Sequence, residues 1–152
     1  MLAEPFNIDY LESSLKKELC EMFKDRPQAF SFLCFYLDYV HMIDDLVDEP
    51  KNIELIRACS RQSAVVFNCD YWINNQRELY YVDRVTHLIY FNAVKWEHAP
   101  EEWKRMHARV LNHCGYNMLF AVMIKEFGEQ IAAEKSIKFM EFSHAKHLGD
   151  KI

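Results

Sequence analysis

The residues of this chain best placed to do chemistry together lie in HMIDDLVDEP, residues 41–50. Five ionisable side chains, His41, Asp44, Asp45, Asp48 and Glu49, fall within nine positions, and no lysine or arginine occurs between Arg26 and Lys51. On a helix that turns about 100° per residue, His41, Asp45, Asp48 and Glu49 gather beside Asp38, with Asp44 at the margin. Phe35, Tyr36, Tyr39, Met42, Ile43, Leu46 and Val47 fill the opposite side. Like charges at i,i+3 and i,i+4 repel by roughly 0.2–0.5 kcal/mol per pair. Acids near a helix C-terminus also meet the negative end of its dipole. A sequence shaped by stability alone would avoid both, unless the stripe is simply a solvated face. Two uses justify the cost. Carboxylates at this spacing suit Mg²⁺, a hard cation that keeps waters a phosphate can replace. Alternatively, a negative face docks a basic partner.

The elements that must position these side chains are helices. Three glycines and four prolines in 152 residues leave little material for tight turns, and the prolines, at 5, 27, 50 and 100, sit close to where helices should begin. The pattern predicts a first helix at about 9–25, opened by Asp9, and a second at about 28–48. A third is expected at about 52–73, with Asn52 as its cap, and a fourth at about 77–98. PEEW opens a fifth at about 100–103, with acids in its first turn, that should stop near Gly128. A last helix covers about 129–147. Six helices with short connections describe an all-α bundle, read as one domain over 1–152.

Composition narrows the function classes. The chain is 51% hydrophobic, 27% charged and 14% aromatic, with a net charge of −5, which suits a folded globule. Scattered bases, densest at Lys104, Arg105 and Arg109, argue against nucleic-acid binding, which neutralises several phosphates. The longest apolar run, AFSFLCFYLDYV, is too short to span a bilayer, and the acidic N-terminus does not read as a signal peptide. Five cysteines without a CxxC pair read as buried free thiols of a cytoplasmic protein. A homodimer is compatible with all of this. No glycine-rich phosphate loop, GxSxG or HExxH motif is present.

IDDLVDE resembles the first aspartate-rich motif, DDxxD, of the type I isoprenoid synthases, the polyprenyl diphosphate and squalene/phytoene enzymes. The resemblance implies an all-α bundle in which Asp44 and Asp48, with Asp45 alongside, bind Mg²⁺ that holds a substrate diphosphate. Any reaction would then be that of a transferase or a diphosphate lyase. It covers about ten residues; a second acidic motif does not occur, and PKN stands where the polyprenyl enzymes carry paired arginines. The chain also resembles, more distantly, small tailed-phage proteins with a DDLxD helix.

Other constellations are weaker. Arg57 and Arg61, at i,i+4 on the next helix, could grip a diphosphate or neutralise the acids beside them. Asp38/His41 and Glu141/His144 share the carboxylate-x-x-His spacing of ferritin-like di-iron proteins, with Glu12, Glu18, Glu78 or Glu102 as further ligands. Arg109, His113 and Asn117 would line one face of the fifth helix. Trp72, Trp96 and Trp103 could line a prenyl-sized pocket or belong to the core. The expectation from sequence is therefore Mg²⁺-dependent binding of a diphosphate at Asp44, Asp45 and Asp48. The alternative is a non-catalytic, viral-type interaction protein with an acidic docking face.

Overall fold

The computed structural model describes residues 13–149, with side chains over 14–143; Asp9 and Glu12 and the side chain of His144 lie outside these. Among the described residues there are seven α-helices and one 3₁₀ turn, and no strand, so the all-α expectation holds. They are α1 (Ser13–Met22), α2 (Pro27–Asp48), α3 (Ile53–Asn68), α4 (Asp70–Trp96), α5 (Glu102–Leu111), α6 (Tyr116–Phe127) and α7 (Glu129–Gly149).

The local chemistry of each boundary is visible. Pro27 occupies the first turn of α2, where its missing N–H costs nothing. Asn52 caps α3, its side-chain oxygen accepting from the Leu55 N–H at 3.1 Å. Gly128 ends α6 at φ 81°, a left-handed conformation that favours glycine, and its N–H donates to the Ile124 carbonyl at 2.8 Å.

Two boundaries depart from the sequence reading. The expected third helix does not continue to residue 73, because Cys69 turns extended (ψ 152°) and separates α3 from α4. Asp70 then supplies an acid to the first turn of α4, and that helix runs unbroken for 27 residues. The expected fifth helix is likewise divided, by a 3₁₀ turn at Asn112–Gly115. Four residues at about 120° instead of 100° rotate the faces of α6 by roughly 80° relative to those of α5. Arg109, His113 and Asn117 therefore do not line one helix face.

The helices group into two compact units, one ending at Asn74 and the other starting at Asn75. The division falls inside α4, so no linker composition marks it. In the first unit α2 and α3 form the most extensive helix pair, with α1 also against α2. Leu19, Phe23, Phe32, Leu33, Tyr36, Leu37 and Met42 are buried there. An aromatic chain runs through it: Phe32 stacks on Tyr71 at 5.2 Å, and Phe67 meets both Trp72 (4.9 Å) and Tyr39 (5.5 Å) edge-on. In the second unit α6 and α7 pack together, burying Met118, Leu119, Val122, Met123 and Phe139. The Tyr116 ring meets Phe139 edge-on at 4.9 Å, and its hydroxyl lies 3.2 Å from Ser143 Oγ.

The five thiols are all free, but they are not uniformly buried as expected. Cys34 and Cys114 are buried, Cys59 and Cys69 are half-buried, and Cys20 is exposed. Of the tryptophans, Trp72 is buried, Trp96 half-buried and Trp103 exposed.

Candidate functional site

The apolar side of α2 explains the placement of its acids. Tyr36 and Met42 are buried and Phe35, Tyr39, Ile43 and Leu46 are half-buried. The opposite side is therefore left to solvent, and His41, Asp44, Asp45, Asp48 and Glu49 are all exposed there, with Asp38 half-buried. Although part of His41 is open to solvent, desolvation of its ring holds the imidazole below the usual histidine range, against the opposing pull of the Asp44 and Asp45 carboxylates. At neutral pH it therefore adds no positive charge to the stripe.

The end of α2 is fastened. The Glu49 N–H donates to the Asp45 carbonyl at 2.9 Å, and Asn52 Nδ2 donates to the Glu49 side chain at 3.2 Å. No basic residue stands in the last turn of the helix. Around the same turn three apolar side chains are left outside: Val47 at 42% exposure, Ile53 at 62% and Ile56 at 45%. The surface at the α2–α3 turn thus combines acids with uncovered apolar side chains.

The arginines of α3 stand further along. Gln62 Nε2 donates to the Phe35 carbonyl at 3.0 Å, and this antiparallel register places Arg57 about level with Val40 and Arg61 with Tyr36. Asp44 is then about level with Ile53, roughly 6 Å further along the axis than Arg57. Arg57 contacts Glu54 of its own helix at 3.4 Å, both side chains exposed.

Among the described residues no three His, Cys, Asp or Glu side chains are grouped so as to hold a metal ion. A cavity of about 270 Å³ does occur in the first unit, lined by Pro27, Phe32, Phe35, Cys69, Asp70 and Tyr71 among others. It lies at the start of α2, about 30 Å along the helix from Asp48, and below the usual size of small-molecule pockets.

Sequence reasoning missed one ionic cluster, in the second unit. Asp83 is 2% exposed; the guanidinium of Arg84 donates to its Oδ2 at 2.5 and 3.1 Å, and His87 Nδ1 lies 3.3 Å from its Oδ1. His87 Nδ1 also lies 2.8 Å from the Asp83 backbone carbonyl. Burial works to raise the Asp83 pKa, but the hydrogen bonds from His87 and Arg84 outweigh it and hold the carboxyl below its usual range. The hydrogen bond to Asp83 in turn raises the His87 pKa against desolvation. An Asp at i with a His at i+4 was the available signal.

No family model, curated protein or solved structure matches the chain.

Proposed function

We propose that this chain is a helical interaction module that docks a basic partner on the acidic end of α2. One observation carries the reading: Asp44, Asp45, Asp48 and Glu49 are all exposed at the end of α2, on a turn that hydrogen bonds hold in place, and Val47, Ile53 and Ile56 are uncovered around the same turn. An exposed surface that joins one sign of charge to apolar area suits a protein partner with the reverse pattern. A small-molecule site would place its polar groups in a concavity, and the acids line none that is described. The retained repulsion among the acids has the same rationale, since docking cations would relieve it.

The test is fluorescence anisotropy with a labelled helical peptide carrying lysines on one face and leucines on the other. Binding should weaken as salt rises and should fall at least about tenfold in the double variant Asp45→Asn with Asp48→Asn. Binding that is indifferent to both salt and the substitutions would refute the reading.

A further inference from the structure

The longest helix leaves an apolar face open to solvent in the second unit. On α4, Tyr80, Tyr81, Val85, Leu88 and Phe91 are all at least half exposed, with Tyr81 at 71%, Leu88 at 66% and Phe91 at 60%. At about 100° per residue these five fall within roughly 140° of the helix circumference. Aromatic side chains carry 150–250 Å² each, so the uncovered apolar area reaches several hundred square ångströms, the size that marks an interaction site. The opposite side of α4 is occupied by buried Leu79, Asp83, Thr86 and Ala93. The exposed face is thus left over after the helix has packed.

Between Arg77 and Lys95 the charges within that arc are all positive: Arg77, Arg84 and Lys95. Glu78 stands about 20° outside it and is ion-paired with Lys125, and Asp70, at a similar angle ten residues before Tyr80, belongs to the first unit. Arg84 lies over the Tyr80 ring at 5.8 Å and Lys95 over the Phe91 ring at 5.6 Å. Arg84 is committed to Asp83 beneath it, so Arg77 and Lys95 are the cations to consider for an outside partner. Pairing α4 with α4 of another copy, antiparallel about Thr86, would set Arg77 against Lys95, a like-charge contact. The face calls for a partner that is acidic and partly apolar.

The chain carries such a surface itself, at the end of α2. We infer that the exposed face of α4 between Arg77 and Lys95 receives the acidic face of α2 of a second copy of this chain. The inference rests on the reading of α2 as a docking surface and names its partner. Arg77 and Lys95 stand about 27 Å apart along α4, and Asp38 and Asp48 about 15 Å apart along α2; two long cationic side chains reaching inward close the difference. Ile53 and Ile56, uncovered at the α2–α3 turn, supply apolar area to cover the rings. Because different surfaces meet, the contact is heterologous and extends beyond a pair unless it closes reciprocally or in a ring.

Sedimentation of the full chain tests this through two charge-reversed variants, Arg77→Glu with Lys95→Glu, and Asp45→Lys with Asp48→Lys. All four positions are exposed, and circular dichroism establishes that both variants are folded. The wild type should gain mass with concentration at low salt and return to monomer at about 0.5 M, where screening acts within a few ångströms. Each variant alone should associate at least about tenfold more weakly, and an equimolar mixture of the two should recover a complex. Recovery requires one acidic and one basic surface on different molecules. A wild type that stays monomeric at every concentration, variants that associate as the wild type does, or a mixture that recovers nothing would each overturn the pairing. Association lost in Tyr81→Ser with Leu88→Ser but untouched by the charge reversals would overturn it in favour of an α4–α4 contact. A monomeric wild type that still binds the lysine–leucine peptide would remove the second copy as partner and leave the docking reading of α2 standing; one that binds neither would remove both.

Discussion

Neutralising two acids at the end of α2 should make the chain more stable. The double change Asp45→Asn with Asp48→Asn removes three like-charge contacts at helical spacing: Asp45 with Asp48, Asp45 with Glu49, and Asp44 with Asp48. At roughly 0.2–0.5 kcal/mol each these amount to about 0.6–1.5 kcal/mol. Both residues lie in the last turn, which holds no base, so relief of the dipole contributes about 0.3–1 kcal/mol for each. Exposure of both side chains and ordinary salt reduce this sum, leaving about 1 kcal/mol. Asparagine and aspartate differ little in helix propensity, so the backbone contributes almost nothing. Urea unfolding followed by the fluorescence of Trp72, buried in the same unit, measures the effect in a Trp96→Phe, Trp103→Phe background. The gain should shrink as salt rises. Destabilisation by more than about 0.5 kcal/mol would refute the reasoning, because it would mean that the acids hold the fold together through ion pairs. The same samples separate docking from metal binding. A ligand that binds only the folded state stabilises by about 2.7 kcal/mol at a hundredfold excess over Kd, and the docking reading predicts no such gain with Mg²⁺.

The same geometry sets other outcomes. Asn52→Ala should destabilise the first unit by about 1 kcal/mol in urea unfolding, because the Leu55 N–H loses its acceptor. The His87 contribution is complete below the unfolded histidine pKa of about 6.5 and is lost as pH rises through its higher folded value. The Asp83 contribution is complete above about 3.9 and is lost as pH falls through its lower folded value. Unfolding midpoints of the second unit should therefore decline above about pH 6.5, and His87→Asn should flatten that decline. Thiol labelling of the native protein should modify Cys20 first and Cys34 last, since Cys34 is buried and burial pushes its pKa up to about 11; rapid loss of the Cys34 thiol would contradict its packing.

Where a residue's local chemistry decides a boundary, the boundary was legible. Pro27, Asn52 and Gly128 act through φ restriction, side-chain capping and left-handed backbone, and each stands where those properties are needed. The break at Cys69 was not legible, because neither proline nor glycine marks it; the cap-type residues Asn68 and Asp70 on either side were its faint signal. The 3₁₀ turn at Asn112–Gly115 escaped for a similar reason, since its backbone stays close to helical at both caps. The acidic stripe of α2 was visible in full, because the side chains sharing a helix face are fixed by spacing alone. Which faces remain uncovered was not visible. Tyr81, Val85 and Leu88 have the i, i+4, i+7 spacing of a core face, and only the packing of α4 shows that its buried side is the other one, through Leu79, Asp83, Thr86 and Ala93. Trp103 is exposed for the same kind of reason. The division at Asn74 lies within a helix, where composition carries no sign of it.

The acidic end of α2 as a docking surface is tested most directly by amide chemical-shift mapping. On titration of the lysine–leucine peptide at low salt, the perturbed amides should cluster between His41 and Ile56, around the α2–α3 turn, and the perturbations should vanish in Asp45→Asn with Asp48→Asn. Perturbations centred instead on the cavity at Pro27, Phe35 and Tyr71, or unchanged in the double variant, would contradict docking at this surface.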